Sequence, residues 1–179
     1  MSITITEALA EIKTIAARLA KKRDTINGYI ARIEGVRDPL EKSGGSAKVI
    51  REERQAIADL ESRLIALRLG ISRANDATVV TILGQSRSIS EWLTWRRDVA
   101  PGQRQFLAGL MANLKHIRDQ AKSKGASVVS ASVGVGEAQP TDIVVNIEER
   151  ELGQEIELLE DIFGQLDGQL SLKNATTTI

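Results

Sequence analysis

The sequence predicts a mainly α protein of the α+β class: a long antiparallel helical hairpin or coiled-coil bundle carrying a small β-hairpin. Three observations predict it. Apolar residues recur at 4-3-4-3 spacing over long segments at both ends of the chain. A short turn-rich connector joins the first two of these segments. One stretch, 125–147, switches to period two with β-branched residues. The 179 residues read as a single domain, 1–179. Its parts are a helical hairpin (1–74), an extended link and kinked helix (75–124), a β-hairpin (125–147) and a C-terminal heptad helix (148–173).

The first helix is expected over Thr6–Ile33. Ile5, Leu9, Ile12, Ala16, Leu19, Ile26, Ile30 and Ile33 follow a packing seam that only Arg23 breaks. Thr4 and Glu7 stand as a capping box at its start. A helix of that length runs about 40 Å at 1.5 Å per residue, which suits a bundle. Gly35–Ser46 holds Pro39 and the pair Gly44-Gly45, so the helix must stop there. The second helix is expected over Ala47–Leu69, with Ile50, Ile57, Leu60, Leu64, Leu67 and Ile71 at a/d spacing. Two long helices joined by a short polar loop pack most simply as an antiparallel pair.

Asn75–Ser88 reads as a short strand or an extended link. Thr78–Ile82 is β-branched and Gly84 closes it. A third helical region follows over Ile89–Ser123, opened by a second capping box, Ser88 with Glu91. Ala100-Pro101-Gly102 predicts a kink or two separate helices. Beyond it, Leu107, Leu110, Leu114 and Ile117 form the stripe. In the period-two segment, Val129, Ala131, Val133 and Val135 alternate with Ser130, Ser132, Gly134 and Gly136. Ile143, Val145 and Ile147 alternate again after Pro140. The Ser/Gly face is small enough to lie against another backbone in a second subunit. The last helix, Glu148–Leu172, holds the cleanest heptad: Leu152, Ile156, Leu159, Phe163, Leu166 and Leu170. Asn146 and Glu149 resemble a capping pair. The tail Asn174–Ile179 is polar and reads as frayed.

Composition narrows the function. Hydrophobic residues are 42% and charged residues 27%, which excludes global disorder. Aromatics are only 3%, so the core is aliphatic. There is no cysteine, which excludes disulfides, thiolate metal sites and cysteine nucleophiles. One histidine excludes multi-histidine metal sites. Net charge is zero, so no whole-molecule basic field exists for nucleic acid. Charge is nevertheless segregated: 85–124 carries eight basic against three acidic residues, and 148–167 one basic against eight acidic. The simplest reading is that these helices face each other, within or between subunits. Glu7, Glu11 and Lys13 interrupt the apolar run a signal peptide needs. No stretch approaches the roughly 18–20 apolar residues of a membrane span. The expected location is cytoplasmic or virion-associated, with no membrane partner.

No catalytic set emerges. His116 lies between Lys115 and Ile117 without a serine-nucleophile motif or metal-binding spacing in the chain. Glu148, Glu149, Glu151 and Glu155 read as a solvated acidic face, because a di-iron bundle needs Glu-x-x-His pairs. Leu83–Ser88 leads into a helix N-terminus that could hold an anion, without a phosphate-loop pattern. No cofactor, metal or small-molecule substrate is expected, and an enzyme is not. Trp92, Trp95, Arg96 and Arg97 form the one aromatic–basic constellation. Packing inside the bundle is its first reading and a partner interface its second, since Trp and Arg dominate interface hot spots. Bases stacked on the indoles are the third.

The chain resembles a family of small, uncharacterised bacterial coiled-coil proteins often labelled septicolysin. The residues that carry the likeness are Glu7-Ala8-Leu9, then Ile71-Ser72-Arg73-Ala74-Asn75-Asp76-Ala77-Thr78, then Leu172-Lys173-Asn174-Ala175-Thr176-Thr177. They occur in the family's order across nearly the whole chain. Two departures stand out: the β segment is rich in Ser, Val and Gly, and Ala175 follows Asn174 where the family has Trp. The resemblance implies a mostly helical, self-associating protein and no particular activity. The function expected is a non-catalytic structural or assembly protein, a homo-oligomer that also meets other structural proteins. A head- or tail-associated bacteriophage virion component is of this class. The alternative is a protein- or nucleic-acid-binding module using the Trp/Arg surface.

Overall fold

The structure is a computed structural model and describes residues 2–131 and 142–179. It is mainly helical with two small two-stranded sheets. Two compact units organise the chain: residues 1–79 with 171–179, and residues 80–170.

In unit 1, α1 spans Ile5–Gly28 and α2 spans Ser46–Ala77. The two run antiparallel, because Lys22 pairs with Glu53 at 2.7 Å and Arg63 with Glu11 at 2.7 Å. The Thr4–Glu7 capping box forms as the sequence predicts. The packing face of α1 keeps Ile5, Ile12 and Leu19 of the expected seam and exchanges two of its positions for the residues just before them. Ala8 and Ile15 are buried, whereas Leu9 and Ala16 face solvent. Both sets fit heptad spacing, and α2 selects the set that lies opposite Leu60, Leu64 and Leu67. Lys22 takes the next position on this face, its stem half-buried and its charge met by Glu53.

α1 also ends earlier than the seam suggests. The chain leaves the helix at Gly28, so Ile30 and Ile33 are exposed in the connector. Glycine costs a helix roughly 1 kcal/mol relative to alanine, and a Cβ at Gly28 would meet nothing within 4 Å. Asp38 caps α2 from eight residues upstream. Its carboxylate accepts from the Ser46 amide at 2.8 Å, the Ser46 hydroxyl at 2.6 Å and the Leu40 amide at 2.8 Å. These bonds hold the Asp38 carboxyl below its usual range, the Ser46 hydroxyl most of all.

The tail is not frayed. Thr178 bridges Thr4 in antiparallel fashion, the Ile5 amide donates to Thr177 O, and the Ile179 amide donates to Ile3 O. Ile179 packs with the α1–α2 core, and its Cδ1 would lie 3.1 Å from a Cβ at Gly70. A glycine in mid-helix therefore makes room for the end of the chain. Composition misled here: a terminal isoleucine gains burial that polar neighbours do not reveal.

In unit 2, β1 (Val79–Ile82, whose first residue belongs to unit 1) and β2 (Gln85–Ser88) pair across a two-residue turn. Leu83 has φ 47 and Gly84 φ 81, the positive pair that a type I′ hairpin turn demands. The expected strand or link is thus a hairpin. α3 (Ile89–Thr94) starts on the predicted Ser88–Glu91 capping box. It continues through a π-helical turn, Trp95–Val99, into α4 (Ala100–Ser123). The π turn stands where a kink was expected. Pro101 has no N–H for the Arg97 carbonyl and its ring crowds that oxygen. The helix widens instead, and the Ala100 amide donates to Trp95 O, five residues back.

β3 (Val128–Ser130) and β4 (Ile143–Val145) pair parallel, Val128 with Ile143 and Ser130 with Val145. The expected β-hairpin at 125–147 is therefore corrected. Alternation predicts a strand but not the direction in which it pairs. Ser132, Val133, Gly134, Val135, Gly136 and Pro140, on which the small-face reading rested, lie outside the described residues. α5 spans Glu149–Thr176, and its residues after Leu170 belong to unit 1. It departs from Glu148, whose carbonyl accepts from the Leu152 amide, rather than from Asn146. All six heptad residues line the unit 2 core, joined by Ile162. The stripe residues Leu107, Leu110 and Leu114 of α4 pack into the same core. Among the described residues, no helix is long and apolar enough to cross a membrane.

Candidate functional site

The tryptophans organise unit 2 from inside. Trp92 and Trp95, three positions apart, share one helix face. Trp92 is 0% exposed and donates its indole N–H to Val80 O at 3.0 Å. Trp95 is 7% exposed and donates to Gln103 Oε1 at 3.1 Å. The two rings meet edge to face at 5.6 Å, and Trp95 lies 5.3 Å from the Phe163 ring. The Arg87 guanidinium covers Trp92 at 4.8 Å. Packing, the first reading of the Trp92, Trp95, Arg96 and Arg97 constellation, describes both indoles. Only the arginines of that set reach solvent. Arg96 pairs with Asp167 at 2.5 Å, and Arg97 with its neighbour Asp98 at 2.7 Å. Asp98 is held below its usual carboxylate range by Arg97.

What the helices do present is a groove beside the π turn. A cavity of about 410 Å³ lies over the Trp95 edge, between β2, α4 and α5. Phe106 from α4 and Leu158 from α5 line it while remaining 65% and 46% exposed. Arg87 and Glu155 supply its charges. A second hollow of about 570 Å³ shares Arg87, Trp95 and Gln103 with the first and is edged by exposed Val99. Periodicity missed Phe106, because it falls off the buried stripe that contains Leu107. A signal did exist: it is the one phenylalanine outside every predicted seam.

The segregated charge meets itself inside the chain. Arg104 pairs with Glu160 at 2.6 Å, Arg118 pairs with Glu149, and Arg96 with Asp167, each joining the α3–α4 helix to α5. Glu148 accepts from the Ser130 hydroxyl, so the acidic start of α5 is tied to β3. Among the described residues, no group of three or more His, Asp or Glu side chains converges as a metal site. His116 is exposed on α4, 3.0 Å from the Gln120 amide. The N-terminus of α3 spends its first amides on the Ser88–Glu91 box, which also holds the Glu91 carboxyl below its usual range. The groove offers an apolar floor, one guanidinium and one carboxylate. That set suits an apolar side chain with flanking charge.

Fold and site together define a mainly helical protein with two small sheets and a partly apolar groove floored by Trp95. In fold it is similar to a solved structure described as a functionally unknown conserved protein from Corynebacterium diphtheriae. The two are 18% identical with a TM-score of 0.54, covering 100% of this chain and 99% of that chain. The likeness is one of fold alone. No protein-family model matches the chain, and no curated protein does.

Proposed function

We propose that the protein is a non-catalytic structural or assembly subunit that works as a homo-oligomer. The observation that carries this reading is the groove of unit 2, where Phe106 and Leu158 stay exposed around a hollow lined by Trp95. Large apolar side chains at the lip of a concavity mark a protein–protein contact. The half-open seam of unit 1 supports the same reading, since a coiled-coil extension between subunits would finish its burial. Head- or tail-associated virion proteins belong to this class. The rival reading, a module that stacks bases or a partner on exposed indoles, is weakened by the burial of Trp92 and Trp95.

Light scattering across a concentration and salt series tests the proposal. A defined oligomer whose mass holds on dilution supports it. A monomer at every concentration overturns it.

A further inference from the structure

The partner on the groove is identified by the groove's own composition. A two-fold interface must be self-complementary, because the same patch meets itself reversed. This patch contains both halves of such a contact. Phe106 projects from the rim and the Trp95-floored hollow receives. Arg87 and Glu155, of opposite charge, line the same cavity, and no ion pair joins them within the chain. Arg87 instead lies over Trp92 and reaches Gln85 at 3.2 Å. Among the described residues, Glu155 has no ion-pair partner. On the same helix Glu149 and Glu160 are taken by Arg118 and Arg104, while Glu151, Glu157 and Asp161, like Glu155, pair with no cation among the described residues. Opposite charges lining one apolar hollow are what a reversed second copy would pair.

We propose that a second copy of this chain docks on the groove about a two-fold axis. Phe106 of each copy enters the hollow of the other, and Arg87 of each faces Glu155 of the other. This rests on the homo-oligomer reading above and specifies its contact.

The test is a charge-swap mixing experiment read by light scattering and sedimentation, with circular dichroism to verify folding. Arg87→Glu alone places two carboxylates against each other at both ends of the interface. Glu155→Arg alone places two guanidinium groups there. Each single variant should weaken self-association about 100-fold, as juxtaposed like charges cost several kcal/mol. Mixed in equal amounts, the two variants should reassociate with near wild-type affinity. Every 87–155 contact in the mixed dimer is then an opposite-charge pair. An ion pair within one chain cannot produce that rescue. Phe106→Ser, at an exposed position that does not threaten folding, should weaken association by about 30-fold or more, the effect of a central hot spot. Wild-type oligomers with no rescue on mixing, or indifferent to Phe106→Ser, overturn this contact while leaving the homo-oligomer standing. A wild-type monomer that binds only a different protein through the groove overturns both.

Discussion

The two units solve the same burial problem with different success. Unit 1 has two long helices, and only Ala8, Ile15, Leu19 and Leu67 of its core cluster are buried. Ile12, Ile57, Leu60, Leu64 and Ile71 remain half-buried beside them. Unit 2 sets a hairpin and two helical segments around a common centre. It buries Ile82, Ile89, both indoles and Leu152, Leu159, Leu166 and Leu170 of the α5 heptad together. Two cylinders shield only one line on each other, so charged stems and ion pairs finish the job in unit 1. A third element closes the stripe in unit 2 and admits large aromatic side chains. Heptad quality alone therefore does not set the size of a core; the number of surfaces that converge does.

Core truncations should break this contrast most severely. Trp92→Ala should cost about 3–5 kcal/mol, through a large cavity and an orphaned Val80 carbonyl. Leu67→Ala should cost about 2–3 kcal/mol, because half-exposed neighbours can close over the gap. Urea unfolding followed by circular dichroism compares them, and equal losses would erase the distinction between the cores. Next comes the tail. Ile179→Ala should cost about 1 kcal/mol from partial burial. It should also raise hydrogen exchange at the Ile5 and Ile179 amides. Unchanged exchange would return the tail to a frayed state.

Leu83→Asn should move in the other direction and stabilise by about 0.5–1 kcal/mol. Leucine at positive φ is strained, whereas asparagine tolerates that conformation. Thermal unfolding reads the gain, and a loss would mean that the half-exposed leucine packs more than it strains. The smallest effect is the pH dependence. Glu7 is held below its usual range by Thr4, Glu11 by Arg63, Asp38 by Ser46 and Glu91 by Ser88. A lowered folded value means that the unfolded chain binds protons first. These contributions are complete above the ordinary carboxylate range and fade as pH falls through the lowered values. Glu7 and Glu91 are exposed and Glu11 and Asp38 only half-buried, so the melting temperature should decline gently with acid. Glu91→Gln should flatten the decline further; a steepening would contradict the capping origin.

Much of the fold was legible. Both capping boxes carry their S/T-x-x-E signature, and the stripes of α2, α4 and α5 read directly from spacing. The misreadings share a cause. Leu9 and Ala16 fit a heptad as well as Ala8 and Ile15 do, and only a facing helix chooses between them. The Leu83-Gly84 turn lacks the Asn-Gly signal of a type I′ hairpin, so the sequence reads there only as a short strand or an extended link. Of the site, Trp92, Trp95 and their arginines were visible as a constellation. Packing was the first reading of the indoles, but the groove that Phe106 and Leu158 border was not visible.

The amino-acid order by itself determined that this chain is helical, where its capping boxes stand, and which heptad α5 presents. Those are local matters, set by bonds and side chains within a few turns. Tertiary structure alone decided the register of α1, the parallel pairing of β3 with β4, the docking of Ile179 and the π turn's answer to Pro101. It also sent both tryptophans inward and left Phe106 outside. Each of those outcomes depends on what lies opposite a residue, and spacing along one strand or helix does not encode its neighbour across space.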